Sequence, residues 1–144
     1  MFLGENYHSL DAKGRLVVPA KLREKLGPVF VITRGLGNKF ICIYTLSSWS
    51  DITEKLKGIP STDKDGVRLQ RFLIGGAHEC EADAQGRFLI PQILRDYAGI
   101  VKEAVLVGMN DRIEIWAKEE WIDCVDDVMC VDDALLEKMS ERGI

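Results

Sequence analysis

The chain has 144 residues, 47% of them hydrophobic and 29% charged, a composition typical of one soluble domain or of two very small domains that share a core. It lacks the ~18-residue apolar run of a membrane helix, and its N-terminus lacks the features of a signal peptide, so we expect a cytoplasmic protein. The formal charge of −4 counts against a nucleic-acid partner, but it is unevenly spread: residues 1–49 carry +4, residues 50–110 carry −1 and residues 111–144 carry −7. This gradient separates a basic N-terminal region from an acidic C-terminal one.

The sequence repeats itself at an offset of 72 residues. Asp11–Pro19 (DAKGRLVVP) recurs as Asp83–Pro91 (DAQGRFLIP). Downstream landmarks at the same offset are Leu22 and Leu94, Arg23 and Arg95, Ile41 and Ile113, Ile43 and Ile115, and Trp49 and Trp121. Two copies are too few for a solenoid, so we expect a pseudo-symmetric pair of units that closes one core between the halves.

In chain order, each copy opens with a turn, Asp11–Gly14 or Asp83–Gly86, in which glycine can adopt a positive φ and aspartate can bond its own backbone. A short strand follows and ends at a proline, which suits the first turn of a helix. The pattern then predicts a helix of about two turns, which ends at Gly27 in the first copy and at Gly99 in the second.

A β-hairpin is predicted next in both copies. Its strands are Val29–Thr33 and Phe40–Tyr44 in the first copy, and Ala104–Val107 and Arg112–Trp116 in the second. The connecting loops are rich in glycine and asparagine, which favour hairpin turns.

A helix is predicted to close each copy. In the first copy Ser48, with Asp51 three residues on, indicates the N-terminal cap. In the second copy the helix runs on longer, with an apolar stripe from Trp121 to Met139 and acids on the other side.

These elements predict a β-rich α+β fold in three parts. The first repeat with its closing helix spans residues 1–60, a connecting helix lies within residues 61–76, and the second repeat with its acidic C-terminal helix spans residues 77–144.

No pattern predicts catalysis or metal binding. Gly35-x-Gly37 lacks the third glycine and the helix of a dinucleotide site, and no serine sits in a nucleophile elbow. His78–Cys80 is only a fragment of the zinc deaminase pattern, and Cys124 and Cys130 are spaced for neither a zinc knuckle nor a redox pair. We therefore expect no catalytic residue, no metal, no cofactor and no small-molecule substrate, and cysteines that stay reduced.

Nucleic-acid binding is the remaining chemistry. Lys13 and Arg15 occupy one turn, and Gln85 and Arg87 occupy the equivalent positions of the other. Long donors beside a glycine turn can enter a DNA groove, with lysine on phosphate oxygens and arginine or glutamine on base edges. The alternative is that an Asp-x-x-x-Arg pair is only a solvated ion pair. Donors in both copies favour a function.

Further landmarks extend over nearly the whole chain; with the repeated segments they are Met1–Gly4, Asp11–Arg15, Pro19, Arg23, Arg71–Leu73, Asp83–Arg87, Pro91, Leu94, Arg95, Tyr97, Ala98, Glu114–Trp116 and Trp121. In this combination the chain resembles the MraZ family, bacterial transcriptional regulators of the AbrB-like superfamily. The resemblance implies one barrel made from two pseudo-symmetric, AbrB-like swapped-hairpin halves with flanking helices, and a ring-shaped homo-oligomer.

The resemblance also implies sequence-specific binding to double-stranded DNA at short direct repeats. The targets would lie upstream of the protein's own operon, in the bacterial division and cell-wall gene cluster, and the protein would repress it from the nucleoid. The implied DNA-binding residues are Lys13, Arg15, Gln85 and Arg87. The implied loop-shaping residues are Asp11, Gly14, Asp83 and Gly86.

One departure from the doubled pattern is that Gln85 stands where the first copy has Lys13, so the second loop has less phosphate-binding charge. The alternative function is that of an AbrB-like antitoxin, or of a ring scaffold that binds a protein partner and no DNA.

Overall fold

The computed structural model describes all 144 residues, which form eight strands and six helices in an α+β fold. The strands are β1 (Glu5–Ser9), β2 (Arg15–Val17), β3 (Val29–Arg34), β4 (Ile41–Thr45), β5 (His78–Glu81), β6 (Arg87–Leu89), β7 (Glu103–Gly108) and β8 (Ile113–Ala117). The helices are α1 (Ala20–Leu26), α2 (Leu46–Lys57), α3 (Lys64–Leu73), α4 (Gln92–Ala98), α5 (Lys118–Met129) and α6 (Asp133–Ser140). None of the six is both long and apolar enough to span a bilayer.

Six strands form one antiparallel sheet in the order β1-β7-β8-β4-β3-β5. β1 pairs with β7, and β5 pairs with β3, so the first strand of each half joins the hairpin of the other half. The two exchanged pairs have matching registers, with Tyr7 opposite Val105 and Glu79 opposite Val31. Because of this exchange, neither half completes its sheet alone.

The remaining strands, β2 and β6, pair with each other as a separate antiparallel ribbon. Leu16 lies opposite Phe88 at the centre of the ribbon, and Cys42 lies opposite Glu114 where β4 meets β8. The residues of each central pair are one repeat offset apart, so both pairings are unchanged when the two halves are exchanged. The pseudo-twofold axis predicted from the repeat therefore passes through both pairs.

The closed barrel expected from the resemblance does not form. The sheet ends at β1 and β5, which do not pair with each other, and the ribbon lies against the face of the sheet rather than closing it. Phe88 of the ribbon meets Phe30 of β3 edge-on, with ring centroids 5.1 Å apart. Each ribbon strand is only three residues long, because an aspartate loop precedes it and a proline soon follows. β2 contacts β1 and β6 contacts β5, but neither ribbon strand pairs with a strand of the sheet.

Side chains alternate along the strands, so the sheet has two apolar faces. The main core lies between the ribbon and one face, where Ile32 and Leu106 are fully buried. On the other face, Trp116 packs against Trp121 of α5, with ring centroids 5.4 Å apart. The ribbon and α5 therefore lie on opposite sides of the sheet.

The short helices α1 and α4 begin after Pro19 and Pro91 and end at Gly27 and Gly99, as predicted. The cap predicted for α2 is wrong by three residues. Thr45, not Ser48, caps the helix, and its hydroxyl accepts a hydrogen bond from the Ser48 N–H at 3.1 Å. The helix begins at Leu46, about one turn before the position that a Ser48 cap predicts. Ser48 is therefore inside the helix and contributes its backbone N–H to the cap.

The long C-terminal helix predicted from the apolar stripe is two helices, α5 and α6, and most of the stripe is exposed. Trp121 is buried, whereas Val128 is 48% exposed and Leu136 is 55% exposed. Of these two helices, α5 packs against the sheet, through strands β7 and β8. The later apolar residues therefore contribute little to the core of a single chain.

Candidate nucleic-acid interface

The first loop (residues 11–15) folds around the carboxylate of Asp11. Its Oδ1 accepts hydrogen bonds from the backbone N–H groups of Lys13 at 3.0 Å and Arg15 at 2.9 Å, and its Oδ2 accepts one from Arg15 Nε at 2.7 Å. The Gly14 N–H donates to the Asp11 carbonyl at 3.0 Å, and Gly14 has a φ of +82°, where a side chain is disfavoured. One carboxylate therefore fixes both the loop and the base of its arginine.

The second loop (residues 83–87) repeats this arrangement. Asp83 Oδ1 accepts from the N–H groups of Gln85 at 3.0 Å and Arg87 at 2.9 Å, and Oδ2 accepts from Arg87 Nε at 2.9 Å. Gly86 has a φ of +79°. One contact has no counterpart in the first loop, because Arg87 Nη2 donates to Gln85 Oε1 at 3.3 Å. The glutamine thus holds a terminal nitrogen that the lysine of the first loop cannot hold.

The pKa of each loop carboxyl lies below its ordinary value of 3.8. The largest cause is the backbone N–H donated by the arginine four residues on; desolvation opposes it, and the arginine side chain and the second backbone N–H reinforce it. Both aspartates are therefore ionised at neutral pH, and each forms a neutral pair with its arginine.

The two loop arginines lie on one face of the ribbon. This outward face consists of Arg15, Val17, Arg87 and Leu89. Leu16 and Phe88 point the opposite way into the core and are 0% and 2% exposed. Arg15 and Arg87 are diagonal neighbours, whose Cα atoms are usually roughly 7–8 Å apart. The aspartates offset the repulsion that two such close positive charges would otherwise have.

The lysine and the glutamine lie at the tips of the loops. Lys13 and Gln85 are both exposed, whereas the side chains of Arg15 and Arg87 are 28% and 32% exposed. The structure thus brings all four expected DNA-binding residues to one ribbon and its two loops.

Two further arginines contact these loops. A Cβ built on Gly86 would lie 2.6 Å from Cζ of Arg23, and one built on Gly14 would lie 2.6 Å from Cζ of Arg95. Arg23 belongs to the first half and Arg95 to the second, so each guanidinium lies against the loop of the other half. Sequence reasoning noted both arginines only as repeat landmarks; their shared offset with the loops was the available signal.

The family model described as "MraZ protein, putative antitoxin-like" matches residues 1–72 and 73–132. The chain belongs to the MraZ family. It is 45% identical to the transcriptional regulator MraZ of Acetivibrio thermocellus and 48% identical to that of Clostridium botulinum, each over 100% of both chains. It is 50% identical to that of Desulforamulus reducens over 84% of each chain. Each segment matched by the family model contains one of the two loops.

In this MraZ-family chain the acidic helix α5 and the ribbon with its loop arginines lie on opposite sides of the sheet. Helix α5 carries five acidic residues and one lysine, and Trp121 fixes it to the side opposite the ribbon. Much of the acidity of the chain is therefore separated from the loop arginines by the thickness of the sheet, and the average charge does not describe the ribbon surface.

Proposed function

We propose that this chain is a sequence-specific, DNA-binding transcriptional regulator and not an enzyme. The observation that carries the proposal is the pair of arginines on the outward face of the ribbon. Aspartate binds Nε of each arginine, which leaves both terminal nitrogens of Arg15 and Nη1 of Arg87 for a base edge, since Arg87 Nη2 donates to Gln85. Guanine is the usual partner of such a donor, and the major groove, ~12 Å wide, admits a two-stranded ribbon. Lys13 and Gln85 at the loop tips add contacts to phosphates or bases.

We propose further that the regulator acts as a ring-shaped homo-oligomer in the cytoplasm, associated with the nucleoid. The exposed apolar residues of α5, of α6 and of the link between them support self-association, since such residues favour protein–protein contact; among them are Val128, Met129, Val131 and Leu136. In an oligomer each further ribbon engages DNA intramolecularly, so modest affinity per subunit gives firm binding to repeated sites.

The target proposed is a set of short direct repeats upstream of the protein's own operon, in the bacterial division and cell-wall gene cluster, with repression as the outcome. A mobility-shift titration at low and moderate salt tests the binding step. The probe is a labelled duplex from immediately upstream of the coding region, compared with a scrambled duplex of the same composition. The proposal expects tighter binding to the upstream duplex at both salt concentrations. Equal binding to both duplexes, or to neither, would reject it.

A second candidate function is an antitoxin-like module that binds a protein. The acidic helix α5 favours it, because its carboxylates can attract a basic surface. On this account the chain binds neither duplex, and no reporter fused to the upstream region responds to the protein. The same titration therefore separates the two candidates.

A further inference from the structure

The two loops differ in net charge when only their own residues are counted. In the first loop, Lys13 adds one positive charge to the neutral pair of Asp11 and Arg15. In the second, Gln85 is uncharged, so the pair of Asp83 and Arg87 leaves no net charge. A surface without net positive charge attracts DNA phosphates weakly. A cation from elsewhere would therefore strengthen phosphate binding at the second loop.

Arg23 supplies a cation at that place. It lies in α1 of the first half, and its guanidinium lies against Gly86 of the second loop. Arg95 of α4 lies in the same way against Gly14 of the first loop. Arg95 and Lys102 both line a small cleft beside Asp11. Neither Arg23 nor Arg95 takes part in the four ion pairs of the chain. Both are half-buried, and no carboxylate neutralises either guanidinium beside its loop backbone.

The loop glycines are what permits this approach. Gly14 and Gly86 are buried and have positive φ, and a side chain at either position would occupy the space of the opposing guanidinium. Arg95 is also held by its own half, because its Nε donates to the Ile90 carbonyl at 2.9 Å. Its terminal nitrogens lie close to Gly14, at the loop rather than within its own helix.

We propose that Arg23 and Arg95 bind DNA phosphates, each for the loop of the opposite half. Each DNA-binding unit then combines residues of both repeats. Its own half supplies the arginine that reads bases, and the other half supplies the arginine that binds the backbone. With Arg23 the second loop carries one net positive charge, and with Arg95 the first carries two. This inference rests on the proposed DNA-binding function.

The test is the salt dependence of binding by Arg23→Ala and Arg95→Ala to the upstream duplex and to the scrambled duplex. Phosphate contacts are independent of sequence, so each variant should bind both duplexes more weakly by a similar factor, roughly tenfold. The slope of log K against log salt should become shallower by about 0.9 for every phosphate that the variant no longer binds. Lys21→Ala is the matched control, since Lys21 is exposed on the same helix as Arg23 and carries the same charge.

A merely structural role for Arg23 would not change this slope. Arg23→Lys should keep the parental slope because the charge remains, whereas Arg23→Gln should make the slope shallower. This second pair keeps the test decisive if the alanine variant does not fold in a thermal melt. Equal slopes for Arg23→Gln and Arg23→Lys, or an Arg23→Ala slope equal to that of Lys21→Ala, would overturn the inference. If the parent binds neither duplex, the proposed function itself fails; if the parent binds and Arg15→Ala loses discrimination while Arg23→Ala is unaffected, only this inference fails.

Discussion

Leu16 lies directly opposite Phe88 on the ribbon, and the pseudo-twofold axis of the chain passes between them. This pair is the shared support of both loops, because each residue lies next to the arginine of its own half and opposite the strand of the other. A substitution of either residue should therefore alter the positions of both loops.

Phe88→Ala should destabilise the fold by about 3–5 kcal/mol, the usual cost of deleting a buried aromatic ring. The ring is 2% exposed and packs against Phe30. Urea unfolding measures the effect. Leu89→Ala is the control on the next residue of the same strand, where the side chain is 54% exposed, and it should change stability by no more than about 0.5 kcal/mol. Similar losses for the two variants would mean that Phe88 does not anchor the ribbon.

Gly14→Ala should destabilise the fold for two reasons. Its φ of +82° disfavours a side chain by roughly 1–2 kcal/mol, and the new Cβ would lie 2.6 Å from Cζ of Arg95, so that the guanidinium must move. Gly4→Ala isolates the first cause, since Gly4 has a φ of +84° and nothing within 4 Å of its Cβ position. Thermal melts should show a larger loss for Gly14→Ala, and equal losses would show that Arg95 moves away at no cost.

Asp11→Asn and Asp11→Ala should differ in stability and in binding. Asparagine keeps an oxygen that can accept the two backbone N–H groups of the loop, whereas alanine leaves them without that partner. We expect Asp11→Ala to lower both the melting temperature and the DNA affinity, the latter roughly tenfold, because its arginine is no longer held in place. The melting temperature of Asp11→Asn should stay close to that of the parent. If both variants melt alike, the backbone bonds do not fix the loop.

The loops should loosen at acidic pH. The pKa of Asp11 and of Asp83 is lower in the folded chain than the ordinary value of 3.8, so the folded state favours the ionised form. The stabilisation is fully present well above pH 3.8 and is lost as pH falls through the lower, folded-state pKa. The difference in unfolding free energy between the parent and Asp83→Asn should therefore shrink below pH 3.8 and stay constant near neutrality. A difference that grows on acidification would contradict the assigned direction of the shift.

Local features of the fold could be predicted from the sequence, whereas long-range pairings could not. The ends of α1 and α4 follow from prolines and glycines within one short segment. The pairing of β2 with β6 joins strands one repeat apart, and no local pattern specifies that they pair with each other rather than join the sheet. The barrel that the resemblance implied does not close in this chain, whose strands form two separate sheets.

The candidate site shows the same division. The loop aspartates and glycines are recognisable because turn chemistry is local. The approach of Arg23 to Gly86 crosses from one half to the other, and local turn chemistry does not predict such a contact. The apolar residues of α5 and α6 have helical spacing, but this spacing does not tell whether the same chain or a second copy covers them.

The central claim is that Arg15 and Arg87 contact bases, and the most direct measurement is the ratio of affinities for the upstream and scrambled duplexes. Arg15→Ala and Arg87→Ala should each lose on the order of 1–3 kcal/mol of binding to the upstream duplex per site and lower this ratio, with melting temperatures nearly unchanged. Lys13→Ala should mainly reduce the salt dependence. Arg68→Ala, at an exposed arginine of α3, is the control and should match the parent. If Arg15→Ala and Arg87→Ala keep the parental ratio, the ribbon does not read DNA sequence.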